Sequence, residues 1–132
     1  MTEAADAKKQ PTLSDIVPKP PRETLFTTER KIKAFGGSPQ EFVNFILNGV
    51  NITPQTIEVI NAALHLSGLP DDRKAKYLAE AFLKRLERID QMTRREENQE
   101  ILEKLSQEAQ ELRDKIRQLQ ELFSPNTTLN YF

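Results

Sequence analysis

The chain has 132 residues, 19 of them basic and 20 acidic, so its formal charge is −1 and it has no global attraction to nucleic acid or to an anionic membrane. It contains no cysteine, no tryptophan and a single histidine, which excludes disulfide frameworks and thiolate metal sites and leaves little material for acid–base or nucleophilic catalysis. The length suits about one domain with one small core, and no stretch approaches the ~18 consecutive apolar residues of a membrane span.

Residues 1–24 include Pro11, Pro18, Pro20 and Pro21 and only Leu13, Ile16 and Val17 as large apolar side chains before Thr24. These are too few to offset the entropy of ordering the segment, so a disordered leader, dispensable for folding, is expected. Within it, Leu13-Ser14-Asp15-Ile16-Val17 followed by Pro18-Lys19-Pro20-Pro21-Arg22 has the form of a short binding motif held extended by its prolines. The default for prolines at this density is a solvating linker. No N-terminal run has the pattern of a secretory signal, which suits a cytoplasmic protein.

Residues 25–92 read as a helical head. Thr28 to Phe35 predicts a short helix capped by Thr28 and stopped at Gly36-Gly37, a hinge that lacks the Gly-Lys-Ser/Thr ending of a phosphate loop. Ser38-Pro39-Gln40-Glu41 is a capping box opening a helix through Phe42, Val43, Phe45, Ile46 and Leu47 to Asn48-Gly49. Thr53-Pro54 opens the next, which runs to Ser67-Gly68, and Asp71 or Asp72 caps a third. Between Phe42 and Leu69 the one formal charge is Glu58, and the second of these helices is apolar around nearly its whole circumference. A chain this small can hardly cover such a helix by itself. Phe42, Phe45, Ile57 and Val59 are therefore the candidate partner-binding residues.

From Pro70 to Phe123 there is no glycine and no further proline, which predicts one long helix of about 80 Å, or two stacked ones. Its first part has a broad apolar face of Ala75, Leu78, Ala79, Phe82, Leu83, Leu86, Ile89 and Met92. Its last part carries a heptad seam of Leu102, Leu105, Ala109, Leu112, Ile116, Leu119 and Phe123, the candidate oligomer interface, with Glu108 at g and Arg113 at e. The two stripes are centred about 130° apart on a straight helix, so they cannot face one partner. The polar octet Thr93 to Glu100 between them holds no helix breaker, which favours a continuous arm over residues 93–123. Residues 124–132 form a short aromatic-ended tail.

For chemistry the sequence offers little. His65 stands alone one turn from a helix end, where packing is its usual role. Glu96, Glu100 and Glu103 could share a face as a cation site, but Arg94, Arg95 and Lys104 interleave with them, so neither a metal nor a cofactor is expected. Asn126-Thr127-Thr128 matches a glycosylation acceptor that means little without export.

Read as strand, helix, helix, the run Phe45 to Ile52, Pro54 to Ser67 and Asp71 to Ile89 resembles the ribbon-helix-helix family of dimeric DNA-binding proteins. That resemblance implies groove contacts from the strand, where Asn48 and Asn51 are the polar residues at hand. Phosphate contacts would fall to Arg30, Lys31, Lys33, Arg73, Lys74 and Lys76, since no basic residue lies between Ala34 and Asp72. The expectation is an all-α, non-enzymatic protein that self-associates as an assembly, scaffold or adaptor module, the alternative being a dimeric DNA-binding accessory protein or repressor.

Overall fold

The structure, a computed structural model, describes residues 11–49 and 51–123, and the described residues form six helices and no strand. In chain order these are α1 (Leu13–Ile16), α2 (Arg22–Phe35), α3 (Pro39–Gly49), α4 (Pro54–Ser67), α5 (Asp71–Arg95) and α6 (Gln99–Phe123). The all-α class is as expected. The tail with Asn126-Thr127-Thr128, and the first ten residues of the leader, lie outside the described residues.

Local capping chemistry sets most boundaries. Ser38 Oγ accepts the Glu41 N–H at 3.0 Å while the Ser38 N–H donates to Glu41 Oε1 at 2.8 Å, the reciprocal bonds of a capping box. Thr53 Oγ1 accepts the Thr56 N–H at 3.0 Å to open α4. Gly36 and Gly68 close α2 and α4 in the left-handed region, at φ +88° and +76°.

Two expected caps do not serve as such. Pro21 caps α2, so Thr28 sits mid-helix and is only 1% exposed; nothing between Arg22 and Phe35 interrupts a helix, and threonine is small enough to pack inward. Pro70 likewise caps α5 with no side-chain bond, and Asp71 and Asp72 occupy the first turn, where the helix dipole favours carboxylates.

The continuous arm is also replaced. α5 stops at Arg95, Glu96 turns extended at φ −88° and ψ 134°, and Asn98 Oδ1 accepts the N–H groups of Glu100 and Ile101 at 2.9 and 3.3 Å. Glu96 Oε2 in turn accepts the Asn98 N–H at 3.0 Å. An asparagine cap reverses the chain with neither glycine nor proline. Two stripes that diverge on a straight helix face each other once it is folded. Leu105, Ala109, Leu112, Ile116 and Leu119 are buried, and Leu102 and Phe123 half-buried, with α5 supplying Ala75, Leu78, Phe82 and Ile89 to the same core. The seam expected to join copies is therefore occupied within the chain.

Arg85, 7% exposed, lies in this hairpin. Its Nε and Nη2 donate to Glu108 Oε2 and Oε1 at 2.7 and 3.0 Å, and its Nη1 donates to the Ile52 carbonyl at 3.4 Å. Glu108, placed by the heptad register opposite a basic residue of another copy, is paired inside its own chain.

Residues 11–24 of the expected disordered leader are also folded. α1 packs on α6, burying Leu13, Ile16 and Val17. Lys115 Nζ donates to the Ile16 carbonyl at 3.3 Å, and Asn61 Nδ2 to the Pro18 carbonyl at 2.9 Å. Three aliphatic side chains suffice here because the returning α6 offers them a surface that a free arm would not. Head and arm are consequently not separate units: buried side chains from Leu13 to Leu119 form one cluster. At its centre α4 is covered by α2, α3 and α5, with Ile60, Ala62, Ala63 and Leu64 fully buried. The chain itself covers most of that apolar circumference.

Replacing Leu112 and Ile116 together by Asp is expected to unfold the protein, since each buried unpaired charge costs several kcal/mol. Circular dichroism should show no cooperative melt. An intact melt accompanied only by a lower mass in solution would exclude the hairpin.

Candidate interaction surface

The four partner-binding candidates have different environments. Phe42 is buried, and Ile57 and Val59 are half-buried, Ile57 beneath the proline segment and Val59 beside α2. Phe45 alone is exposed, at 54%. Beside it stands Phe35, 39% exposed, whose ring centroid lies 5.3 Å from Phe45 and 5.4 Å from Phe42, the latter edge-on. Such separations are favourable for aromatic pairs.

The tight α2–α3 turn gathers these rings. Gly37 lets the two side chains close in, since a Cβ there would stand 2.8 Å from Glu41 Oε1 and 2.8 Å from the Phe35 ring and would make one of them shift. From Phe35 to Gly49 the one charge is Glu41, and its carboxylate is engaged by the Ser38 N–H. The result is an exposed aromatic pair on a charge-poor face, backed by a third, buried ring. The sequence does not mark Phe35, because Gly36-Gly37 after it reads as a hinge. A capping box starting two residues after Phe35 was the available signal that the turn is short and fixed.

The basic residues lie on two helices. Arg30, Lys31 and Lys33 are exposed on α2, with the Arg30 guanidinium 5.7 Å from the centroid of the exposed Phe26 ring. Arg73 and Lys76 are exposed on α5, while Lys74 Nζ lies 3.6 Å from Asp71. The expected strand is absent: residues 45–49 are the end of α3. Asn48 and Asn51 instead line an open polar cleft of about 430 Å³ with Lys84, Glu87, Arg88 and Gln91. Lys84 and Arg88 are suitably placed there to offset the negative end of the α3 dipole.

The row Glu96, Glu100 and Glu103 does not share one helix, because Glu96 precedes the turn. Among the described residues no group of three His, Asp or Glu side chains is arranged to hold a metal ion, and no helix is long and apolar enough to cross a membrane. His65 is exposed; its pKa is lowered by burial first, then by the charges of Lys19 and Lys74.

Compared with known proteins, the chain matches no family, no curated protein and no solved structure.

The His65 shift has a definite sign. With the folded pKa below 6.5, the unfolded chain binds more protons between the two values. The contribution to stability is full above 6.5 and is lost as the pH falls through the folded pKa. Chemical denaturation of the wild type and His65→Gln at pH about 7.5 and about 5 should show the wild type losing slightly more stability on acidification, a small effect for so exposed a ring. Equal losses would mean that neither burial nor the charges of Lys19 and Lys74 lower the His65 pKa in solution.

Proposed function

We propose that the protein is a non-enzymatic helical assembly module whose contact surface is the Phe35 and Phe45 patch, and that its occupant is a second copy of the chain. One observation carries this: two contacting phenylalanine rings remain 39% and 54% exposed in a protein that buries its heptad seam internally. Fully burying such a ring contributes about 1.5–3 kcal/mol, so a face that leaves two in water has an unused driving force for association. A second copy suits the patch because the face is charge-poor and offers little to select a partner of either charge. A two-fold axis through it would set the ring pair of one copy against that of the other. A scaffold or adaptor role and a cytoplasmic setting belong to the same proposal.

The DNA-binding alternative keeps exposed Arg30, Lys31 and Lys33 but has lost the strand that was to enter the groove. No observation favours it over association.

Light scattering on the purified chain should give a mass above that of one copy. Phe45→Asp should reduce it to one copy that still melts cooperatively, its melting temperature lowered only by the lost stabilisation of association, because Phe45 is exposed in the single chain. Added duplex DNA at about 150 mM salt should leave the mass unaltered. A wild type that stays a single copy throughout, or a Phe45→Asp protein of undiminished mass, would overturn the patch.

A further inference from the structure

Between α1 and α2 the chain crosses as Pro18-Lys19-Pro20-Pro21, above a cavity of about 500 Å³ lined by Ile57, Phe82 and Leu112. These three side chains make an apolar floor where α4, α5 and α6 meet. The volume lies within the range of small-molecule sites, roughly 300–1,000 Å³. The proline roof is held at both ends. On one side Val17 is buried and the Pro18 carbonyl accepts from Asn61 Nδ2 at 2.9 Å; on the other the Pro21 carbonyl accepts the Leu25 N–H at 3.0 Å to start α2. Three prolines in four residues favour a stiff extended backbone, and Pro21 has polyproline geometry at φ −63° and ψ 157°. A roof so built spans the floor instead of sinking into it.

The polar part of the lining is biased towards acceptors. Pro18, Pro20, Pro21 and Pro54 have no N–H, so the backbone around the cavity is short of donors. Of the charged side chains, Glu108 is paired with Arg85, and Lys115 Nζ donates to the Ile16 carbonyl at 3.3 Å. Lys19 is exposed on the roof. Glu58 from α4 and Glu111 from α6 make no hydrogen bond or ion pair among the described residues. We propose that this cavity binds a small aromatic cation, its ring between the proline roof and the apolar floor and its ammonium group at Glu58 and Glu111. A rigid ring suits a slot with a rigid roof, because neither loses much freedom on binding. Two uncommitted carboxylates supply charge-assisted acceptors to an ammonium group and oppose an acidic ligand. The site does not depend on the self-association proposed above, since neither Phe35 nor Phe45 lines it.

The probes are naphthylmethylammonium and naphthoate, which share a ring system and differ in the sign of their charge. Each is titrated into the isotopically labelled full-length protein at neutral pH and followed by amide chemical shifts. Saturable binding of the cation is expected, with the largest shifts at Lys19, Ile57, Asn61, Phe82 and Leu112. Its affinity should exceed that of the anion about ten-fold. Glu58→Gln combined with Glu111→Gln changes two exposed positions and should weaken cation binding about five-fold, narrowing the preference without altering the cooperative melt. Ile57→Trp, which fills the space, should abolish binding of both probes; should that protein not fold, the double glutamine variant and the shift map decide alone. No saturable shift with either probe would overturn the site. Shifts centred on Phe35 and Phe45 would overturn it as well and assign the probe to the exposed rings. Equal affinities for the two probes, or a cation affinity unmoved by the double glutamine variant, would overturn the assignment of a cation.

Discussion

The fold depends on α5 and α6 pairing face to face. Neither helix is stable alone at this composition, since each is half polar and its apolar stripe needs a cover. Their pairing creates the surface that receives α1 and presents the remaining side of α5 to α4. Arg85 and Glu108 fix how the pairing is made. A buried ion pair contributes little net stability, but a hairpin slipped by one turn would leave Arg85 buried without its carboxylate, at a cost of several kcal/mol. The same guanidinium reaches the Ile52 carbonyl, which ties the entry to α4 to the hairpin. One residue thereby sets register and joins the two halves of the core.

Features of the fold that depend on near neighbours were legible in the sequence, and those that depend on distant surfaces were not. Ser38 with Glu41, Thr53, Gly36 and Gly68 act within a turn of their own positions, and each behaves as its residue type dictates. The divergence of the two stripes was legible as well, and it contained the answer: stripes that cannot share a partner on a straight helix can partner each other on a folded one. What concealed the fold was the turn at residues 96–98, made by an asparagine in a run of helix-tolerant residues. The folding of residues 11–24 was concealed for the same reason, because Leu13, Ile16 and Val17 gain burial only from an α6 that comes back.

The candidate surface was legible to a similar depth. A charge-poor run containing Phe42, Phe45, Ile57 and Val59 marks apolar faces, but periodicity says which residues share a face and not what covers it. Phe42 is buried and Ile57 and Val59 are half-buried, and the tight turn adds Phe35 from a neighbouring helix. The seam shows the converse. Its heptad spacing is as regular as that of an intermolecular coil, because a helix sees the same apolar stripe whether the partner helix is supplied by another chain or by its own.

The exposed rings follow from how the centre is closed. α4 is apolar on most sides, and α2 and α3 cover it from successive positions in the chain. Two helices joined by so short a connection must turn sharply. Gly36 supplies the left-handed residue and Gly37 the close approach, which lets the Ser38 and Glu41 box form directly against the Phe35 ring. In that geometry the last side chain of α2 falls beside the exposed face of α3. Phe35 therefore meets Phe45 outside the core, while Phe42, one turn earlier on α3, turns inward. Drawing Phe35 into the core would require shifting the end of α2 off α4, exchanging one exposed ring for an uncovered central helix. The fold keeps the central helix covered and leaves the pair of rings at its surface.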